Sequence, residues 1–291
     1  MRSALIADCE KLRFPPEAIA VFCAAREAIC RPETGVEPLW REAAENLFDG
    51  HGKIYMERLA EAAALVLSVP RETADMVFLL SCLPALREKY RENGLSEDLF
   101  WDTMEDLRYK LSECRRVRGL WGTFVTDWYG GFYRLRRFGL GRLQYERREL
   151  PFEVPGVLPQ GAIVCGCHIP SAGPLTDESV TDSLRRAAAF FTDVRANGAF
   201  PLVCHSWLLY PPLVALFPAG SNMAKFAARF QVYDTDADPA NKDAWRVFDR
   251  PFDPEKIAEL PEDNLLRRAL KSYLAAGNIM GNGYGFLLFK E

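Results

Sequence analysis

Two of the chain's three histidines, His168 and His205, stand near the ends of short apolar runs, residues 162–169 and 200–209. An imidazole titrates near neutral pH, so a histidine at the mouth of a cleft can take a proton from an attacking nucleophile. The plainer alternative for each ring is a hydrogen-bonded structural role. Cys165, Cys167 and Cys204 lie in the same two runs and raise thiol and metal chemistry as rivals. Neighbours on a strand face opposite sides, so Cys204 and His205 cannot pair side chain to side chain as nucleophile and base. Cys-x-Cys inside an apolar strand is poor zinc spacing, whereas a buried thiol packs well as a small hydrophobe. No metal is expected.

The elements that would carry these residues alternate between strand and helix. Residues 162–169 and 200–209 are continuous apolar runs, the pattern of strands buried on both faces. Period 2 puts Cys165 and Cys167 on one face of the first strand and Val164, Gly166 and His168 on the other. On the second strand, Cys204 and Ser206 share a face, and His205 and Trp207 point the opposite way. Thr176 caps a helix with Asp177 and Glu178 in its first turn and Val180, Leu184, Ala187, Ala188 and Phe191 on its inner face. Ser221 caps another with Met223, Phe226, Ala227 and Phe230 inward. Residues 138–150 read as one strand, 231–235 as another, 261–276 as a helix and 284–289 as a closing strand. A strand, a helix and a second strand imply a parallel pair joined by a crossover, and sites in such sheets form beyond the carboxyl ends of the strands. Gly281-Asn282-Gly283-Tyr284-Gly285 precedes a strand and opens no helix, so it reads as a tight turn that needs positive φ.

The first ~120 residues have helical periodicity. Residues 17–30 place Ile19, Phe22, Cys23, Arg26 and Cys30 along one stripe. Residues 54–67 repeat the pattern, and 71–93 follow with Met76, Leu79, Leu80 and Leu83 on one face and Gly94 at the stop. Ser96 caps a helix running to Arg118, with acids in its first turn and arginines in its last. The division is drawn as a helical domain over 1–120 and an α/β domain over 121–291, with the aromatic stretch 121–137 as connecting segment.

Composition excludes several classes. With 49% hydrophobic and 26% charged residues the 291-residue chain is globular, and its net charge of -4 gives no general attraction for nucleic acid or an anionic membrane. Eleven basic residues against three acids between Arg108 and Arg148 read as a solvated face. Asp8, Glu10 and Lys11 interrupt any export signal, and no apolar run reaches the ~18 residues that span a bilayer. Eight cysteines without framework spacing read as reduced thiols, so the expected location is the cytoplasm.

The residue words are more specific than the element order. Cys167-His168-Ile169-Pro170, Pro174-Leu175, Ser183-Leu184 and Ala189-Phe190-Phe191 form one cluster. Cys204-His205-Ser206-Trp207-Leu208-Leu209 and Ser221-Asn222 form a second, with Gly141-Arg142-Leu143-Gln144-Tyr145-Glu146 upstream. Together they resemble a family of bacterial acyltransferases that joins a helical N-acyltransferase N-terminal domain to a GNAT-like C-terminal domain. The resemblance implies an α+β two-part chain, an N-terminal helical bundle followed by an α/β domain with a mixed, partly parallel sheet.

It also implies acyl-coenzyme A as co-substrate and an amine as acceptor, both small-molecule partners. His168 or His205 would serve as base. Tyr284 would protonate the departing thiolate, with Tyr210 and Tyr233 as rivals. Ile169, Ser171, Gly173 and Thr176 occupy the slot where GNAT enzymes carry Arg/Gln-x-x-Gly-x-Gly/Ala around the coenzyme A pyrophosphate. The slot departs from that pattern, because Pro170 and Pro174 lack N–H donors and only one glycine is present. Ser206, Trp207 and Asn222 are the candidate substrate contacts, and Trp207 also suits a core.

Two further function classes stay open at this stage. One is a non-catalytic ligand-binding or regulatory protein on a degenerate GNAT scaffold, and the weak phosphate slot is its support. The other is an interaction protein whose helical half docks a partner.

Overall fold

The computed structural model describes residues 2–47 and 52–290. Two compact units divide the chain, Met1–Gly139 and Leu140–Glu291. The first holds α1 (Arg2–Lys11), α2 (Pro16–Ile29), α3 (Glu37–Asn46), α4 (Gly52–Leu67), α5 (Arg71–Glu92), α6 (Glu97–Met104), α7 (Asp106–Arg118) and α8 (Tyr129–Tyr133). None of the described helices is long and apolar enough to cross a membrane.

Helix α5 is the axis of this unit. It buries not only the expected Met76, Leu79, Leu80 and Leu83 but also Val77, Phe78, Leu86 and Tyr90. A helix apolar around most of its circumference is one that its neighbours surround. On α2 the buried stripe is Ala18, Phe22, Ala25 and Ile29, turned from the one expected, and Cys30 is exposed. The helix expected from Ser96 to Arg118 is two helices that meet at Glu105.

The aromatic stretch expected to connect the two halves packs with the helices. Thr73 Oγ1 donates to Trp121 O at 2.8 Å, Thr123 N to Glu72 O at 3.0 Å, and Tyr133 OH to Leu79 O at 2.7 Å. Tyr129, Phe132 and Tyr133 are buried. Rings of this size need a core to cover them, and α5 supplies it. The helical unit therefore runs on to Gly139, beyond the change of texture near residue 120.

The second unit carries β2 (Leu143–Glu149), β3 (Ile163–His168), α9 (Asp177–Phe190), β4 (Phe200–Ser206), α10 (Pro211–Val214), α11 (Asn222–Ala227), β5 (Gln231–Asp238), α12 (Trp245–Phe248), α13 (Leu265–Ala275) and β6 (Met280–Phe289). With β1 (Arg137–Leu140), which spans the division, the strands form one sheet in the order β1-β2-β3-β4-β6-β5. The β3–β4 pair is parallel, and β2–β3, β4–β6 and β5–β6 are antiparallel. The sheet is mixed and partly parallel, as the resemblance implies. Ser183 of α9 locks that helix to one face: its Oγ accepts from Leu143 N at 3.0 Å and donates to Leu140 O at 2.5 Å.

Two stretches differ from their sequence reading. Residues 138–150 form a hairpin, because Gly141 takes φ 78° and reverses the chain. The glycine cluster 281–285 is no turn. It lies inside β6, and Gly281, Gly283 and Gly285 are absent from the positive-φ positions. Close approach explains these three glycines. An added Cβ would meet the Tyr210 ring at 2.9 Å from Gly281, the Leu209 carbonyl carbon at 2.6 Å from Gly283, and Phe230 Cβ at 2.8 Å from Gly285. Leu209 and Phe230 press directly on the β6 backbone. Gly283→Ala is expected to cost about 1–3 kcal/mol, because a backbone carbonyl cannot swing aside as a side-chain tip can. Urea unfolding of the full chain checks this, and an unchanged midpoint refutes it.

Candidate active site

The paired register between β3 and β4 comprises Cys165↔Leu202 and Gly166↔Val203. Both strands continue past it. On its outer side β3 stays paired with β2 through His168, and β4 stays paired with β6 through Ser206. The sheet is thus held on both flanks while its central pair parts beyond Gly166 and Val203. His168 and His205 stand at the edges of this opening.

Register sorts the side chains into two faces. Cys165, Cys167 and Cys204 share the face of Tyr145 and α9. Contact with Cys204 and complete burial hold the Cys167 thiol well above its ordinary range, and burial also pushes Cys165 up. These thiols stay protonated, and neither is a nucleophile. His168 and His205 lie on the other face, so neither can serve Cys204 as a base.

Each imidazole on that second face has a carboxylate. His168 Nε2 lies 2.8 Å from Glu146 Oε1, and His205 Nε2 lies 3.1 Å from Asp236 Oδ1. Glu146 reaches His168 by crossing Gly166, where a Cβ would strike Arg148 Cδ at 2.5 Å. His205 also stacks on its cross-strand partner Tyr284, with centroids 3.9 Å apart and planes 14° from parallel. The His168 side chain is 15% exposed and that of His205 is 30% exposed, so both rings have a route to solvent. On the same face lie Val164, Val203 and Phe286, covered by Leu150 and Val154.

The β3–α9 loop, residues 169–176, is fixed by a residue that the sequence reading gave no role. Arg142 donates to Pro170 O at 2.9 Å, Gly173 O at 2.7 Å and Pro174 O at 3.1 Å. A trans peptide sets its N–H opposite its C=O, so the clamp turns the Ser171 and Leu175 N–H groups away from Arg142. Gly173 takes φ 92°, a conformation suited to glycine, and no heavy atom lies near its missing Cβ. Thr176 Oγ1 caps α9 by accepting from Ser179 N at 3.2 Å. Arg229 binds Asp177 Oδ1 at 2.6 Å and so sets a cation beside the acidic first turn of α9.

The candidate substrate contacts are dispersed. Ser206 Oγ accepts from Leu208 N and caps a 3-10 turn over Trp207–Leu209. That turn takes Trp207 off the strand, so it does not share a face with His205. It packs instead on the cluster of Leu213, Val247 and Leu260, edge-on to Phe217. Asn222 opens α11 behind the Ser221 cap. Glu146 and Asp236 were missed as site residues. Alternation of polar residues, Gln144-x-Glu146-x-Arg148 and Asp234-x-Asp236-x-Asp238, was the available signal for a functional strand face.

A central strand that enters a helix through a clamped loop, a parallel partner that parts from it, and this strand order define a GNAT-type acyltransferase fold. Residues 137–287 match the model of the GNAT-like C-terminal domain, and residues 4–135 match the N-acyltransferase N-terminal domain. The chain belongs to the family that joins these two domains. Among solved structures it is similar to an acyltransferase in complex with decanoyl-CoA and teicoplanin, with TM-score 0.77 and 23% identity over 97% of this chain and 86% of that chain. It is also similar to an acyltransferase in complex with decanoyl-CoA, with TM-score 0.74 and 25% identity over the same shares. No curated protein matches the sequence.

The clamp on the loop has a measurable consequence. Arg142→Ala removes three charge-assisted bonds and is expected to lower stability by about 1.5–3 kcal/mol. Amide exchange at residues 171–176 should quicken in the variant. Unchanged exchange there would show that the loop holds itself.

Proposed function

We propose that this chain transfers an acyl group from a coenzyme A thioester to an amine by direct attack within the opening between β3 and β4. The observation that carries this reading is the central pair that ends at Gly166 and Val203 with imidazole–carboxylate pairs on one face beyond it. Similarity to acyltransferases bound to decanoyl-CoA supports the choice of donor.

In this reading the pyrophosphate rests where the β3–α9 loop meets the start of α9. Ser171 and Leu175 N–H groups, turned outward by Arg142, face it, and the N-terminus of a 14-residue helix adds its dipole. Gly173 admits the close approach that Pro170 and Pro174 cannot help with. The acidic first turn is offset by Arg229. Pantetheine enters the gap, where the facing edges of β3 and β4 offer N–H groups to the thioester oxygen.

The amine nitrogen then bonds to the acyl carbon, and the carbonyl π pair moves to oxygen. An imidazole at the opening takes the ammonium proton. The C–S bond breaks as the carbonyl re-forms, and the same imidazolium returns the proton to the coenzyme A thiolate. This route needs no separate acid. Tyr284, face to face with His205, is better suited to brace the ring than to donate a proton. The acyl chain has an apolar neighbourhood in Val164, Val203 and Phe286.

Calorimetry with acetyl-, octanoyl- and decanoyl-coenzyme A tests donor binding, and thiol release over a panel of amines, teicoplanin included, tests transfer. Binding between about 1 μM and 1 mM is expected, and His205→Ala should slow thiol release by at least about 100-fold. No heat at millimolar donor contradicts the reading. Binding without thiol release from any acceptor would favour the non-catalytic alternative.

A further inference from the structure

Strand β5 carries one residue more than its partner needs, and the consequence falls on His205. Along the β5–β6 pair Gln231 faces Phe286 and Val232 faces Gly285, but Asp234 faces Tyr284. Tyr233 is the extra residue of a β-bulge. Side chains alternate with period 2, so a one-residue shift exchanges the faces of every residue beyond it. In an unbulged pair Thr235 would oppose Asn282, and Asp236 would oppose Gly281 and point to the far face. With the bulge, Asp236 opposes Asn282 and stands on the face of Tyr284 and His205. Tyr233 keeps its own place in the apolar cluster, stacked on Phe152 at 4.9 Å.

Two contacts then meet on the His205 ring, and a third holds the carboxylate that makes one of them. Asp236 Oδ1 meets His205 Nε2 at 3.1 Å, Asn282 bonds the same carboxylate, and Tyr284 fixes the plane of the imidazole. Partial burial raises the Asp236 carboxyl, but the hydrogen bond and charge of His205, with the Asn282 bond, leave it below its usual value. It is ionised at neutral pH. An ionised carboxylate only accepts, so the ring nitrogen that faces it carries the hydrogen. Other charged or titratable groups on this face are Tyr233, Asp234 and Asp238 from β5, Tyr284 from β6, His168 from β3, and Glu146 and Arg148 from β2, among the described residues. Glu146 is engaged by His168, whose ring is half as exposed as that of His205.

We propose that Asp236, turned inward by the bulge at Tyr233, is the positioning residue that holds His205 as its Nε2–H tautomer, leaving the Nδ1 lone pair to accept the acceptor's proton. This rests on the acyl-transfer reading above and selects His205 over His168 as its base.

Nitrogen-15 NMR of the full chain reads the His205 tautomer directly. The expected state of the neutral ring is Nε2–H, and Asp236→Asn should dissolve that preference, since an amide can either donate or accept. In thiol-release assays the same variant should lose about 100-fold in kcat, with donor affinity within about twofold of the parent. Asp236→Glu should recover much of kcat. A parent ring protonated on Nδ1, or an Asp236→Asn chain with unchanged kcat, overturns the proposal and leaves acyl transfer standing. Failure of every donor to bind would instead remove the acyl-transfer reading, and the tautomer alone would then decide whether Asp236 sets His205.

Discussion

A parallel strand pair is held by evenly spaced, slanted hydrogen bonds, and at the centre of this sheet the pairing covers only two residues on each strand. Everything functional in the second unit depends on that shortness. The tips cannot simply fray, because β2 and β6 each hold one of them by an antiparallel ladder that runs to its last residue. A gap that opens between two well-anchored strands is rigid at its walls. In the proposed reaction it would present backbone N–H groups to a bound thioester at no cost in reorganisation, which is the condition for electrostatic stabilisation of a developing oxyanion.

The two faces of the sheet divide the work. On the face of α9, Ser183 ties the helix to β2, and buried thiols fill the space beneath it as small apolar groups. Contact with Cys204 and burial hold the Cys167 thiol above its ordinary range, and burial does the same for Cys165. The opposite face carries the imidazoles and carboxylates beside an apolar cluster. Glycine at 166 lets the Arg148 and Glu146 side chains cross β3, and glycines in β6 let the Leu209 turn press on the backbone. In each case a missing side chain on a strand permits a close contact that a Cβ would block.

How much of this could be read from the sequence follows from the range of the interactions involved. His168 and His205 were legible as strand-end residues, because continuous apolar runs and the Thr176 and Ser221 caps are local signals. The thiols were legible as packing for the same reason. Glu146 and Asp236 were not, since their partners are chosen by register across strands, and for Asp236 by a bulge that no local pattern announces. The glycine cluster was misread as a turn because glycine answers both to positive φ and to close approach, and only the Leu209 contact tells which applies. Residues 121–137 looked like a connection, since their aromatic texture matches neither period, yet burial of Tyr129 and Tyr133 ties them to the helices. Trp207 was assigned to the strand face of His205, and the Ser206 cap turned it elsewhere.

The central claim is that the opening between β3 and β4 exists before ligand arrives and is where the donor binds. Amide hydrogen exchange of the full chain, with and without decanoyl-coenzyme A, measures this at residues 166–169 and 203–206. Rapid exchange of the inward-facing tip amides in the free chain is expected, with clear slowing when donor is present and no change in α5. Tip amides that are already as slow as those of Cys165 and Leu202, and that do not respond to donor, would mean the strands are closed along their length and would contradict the account.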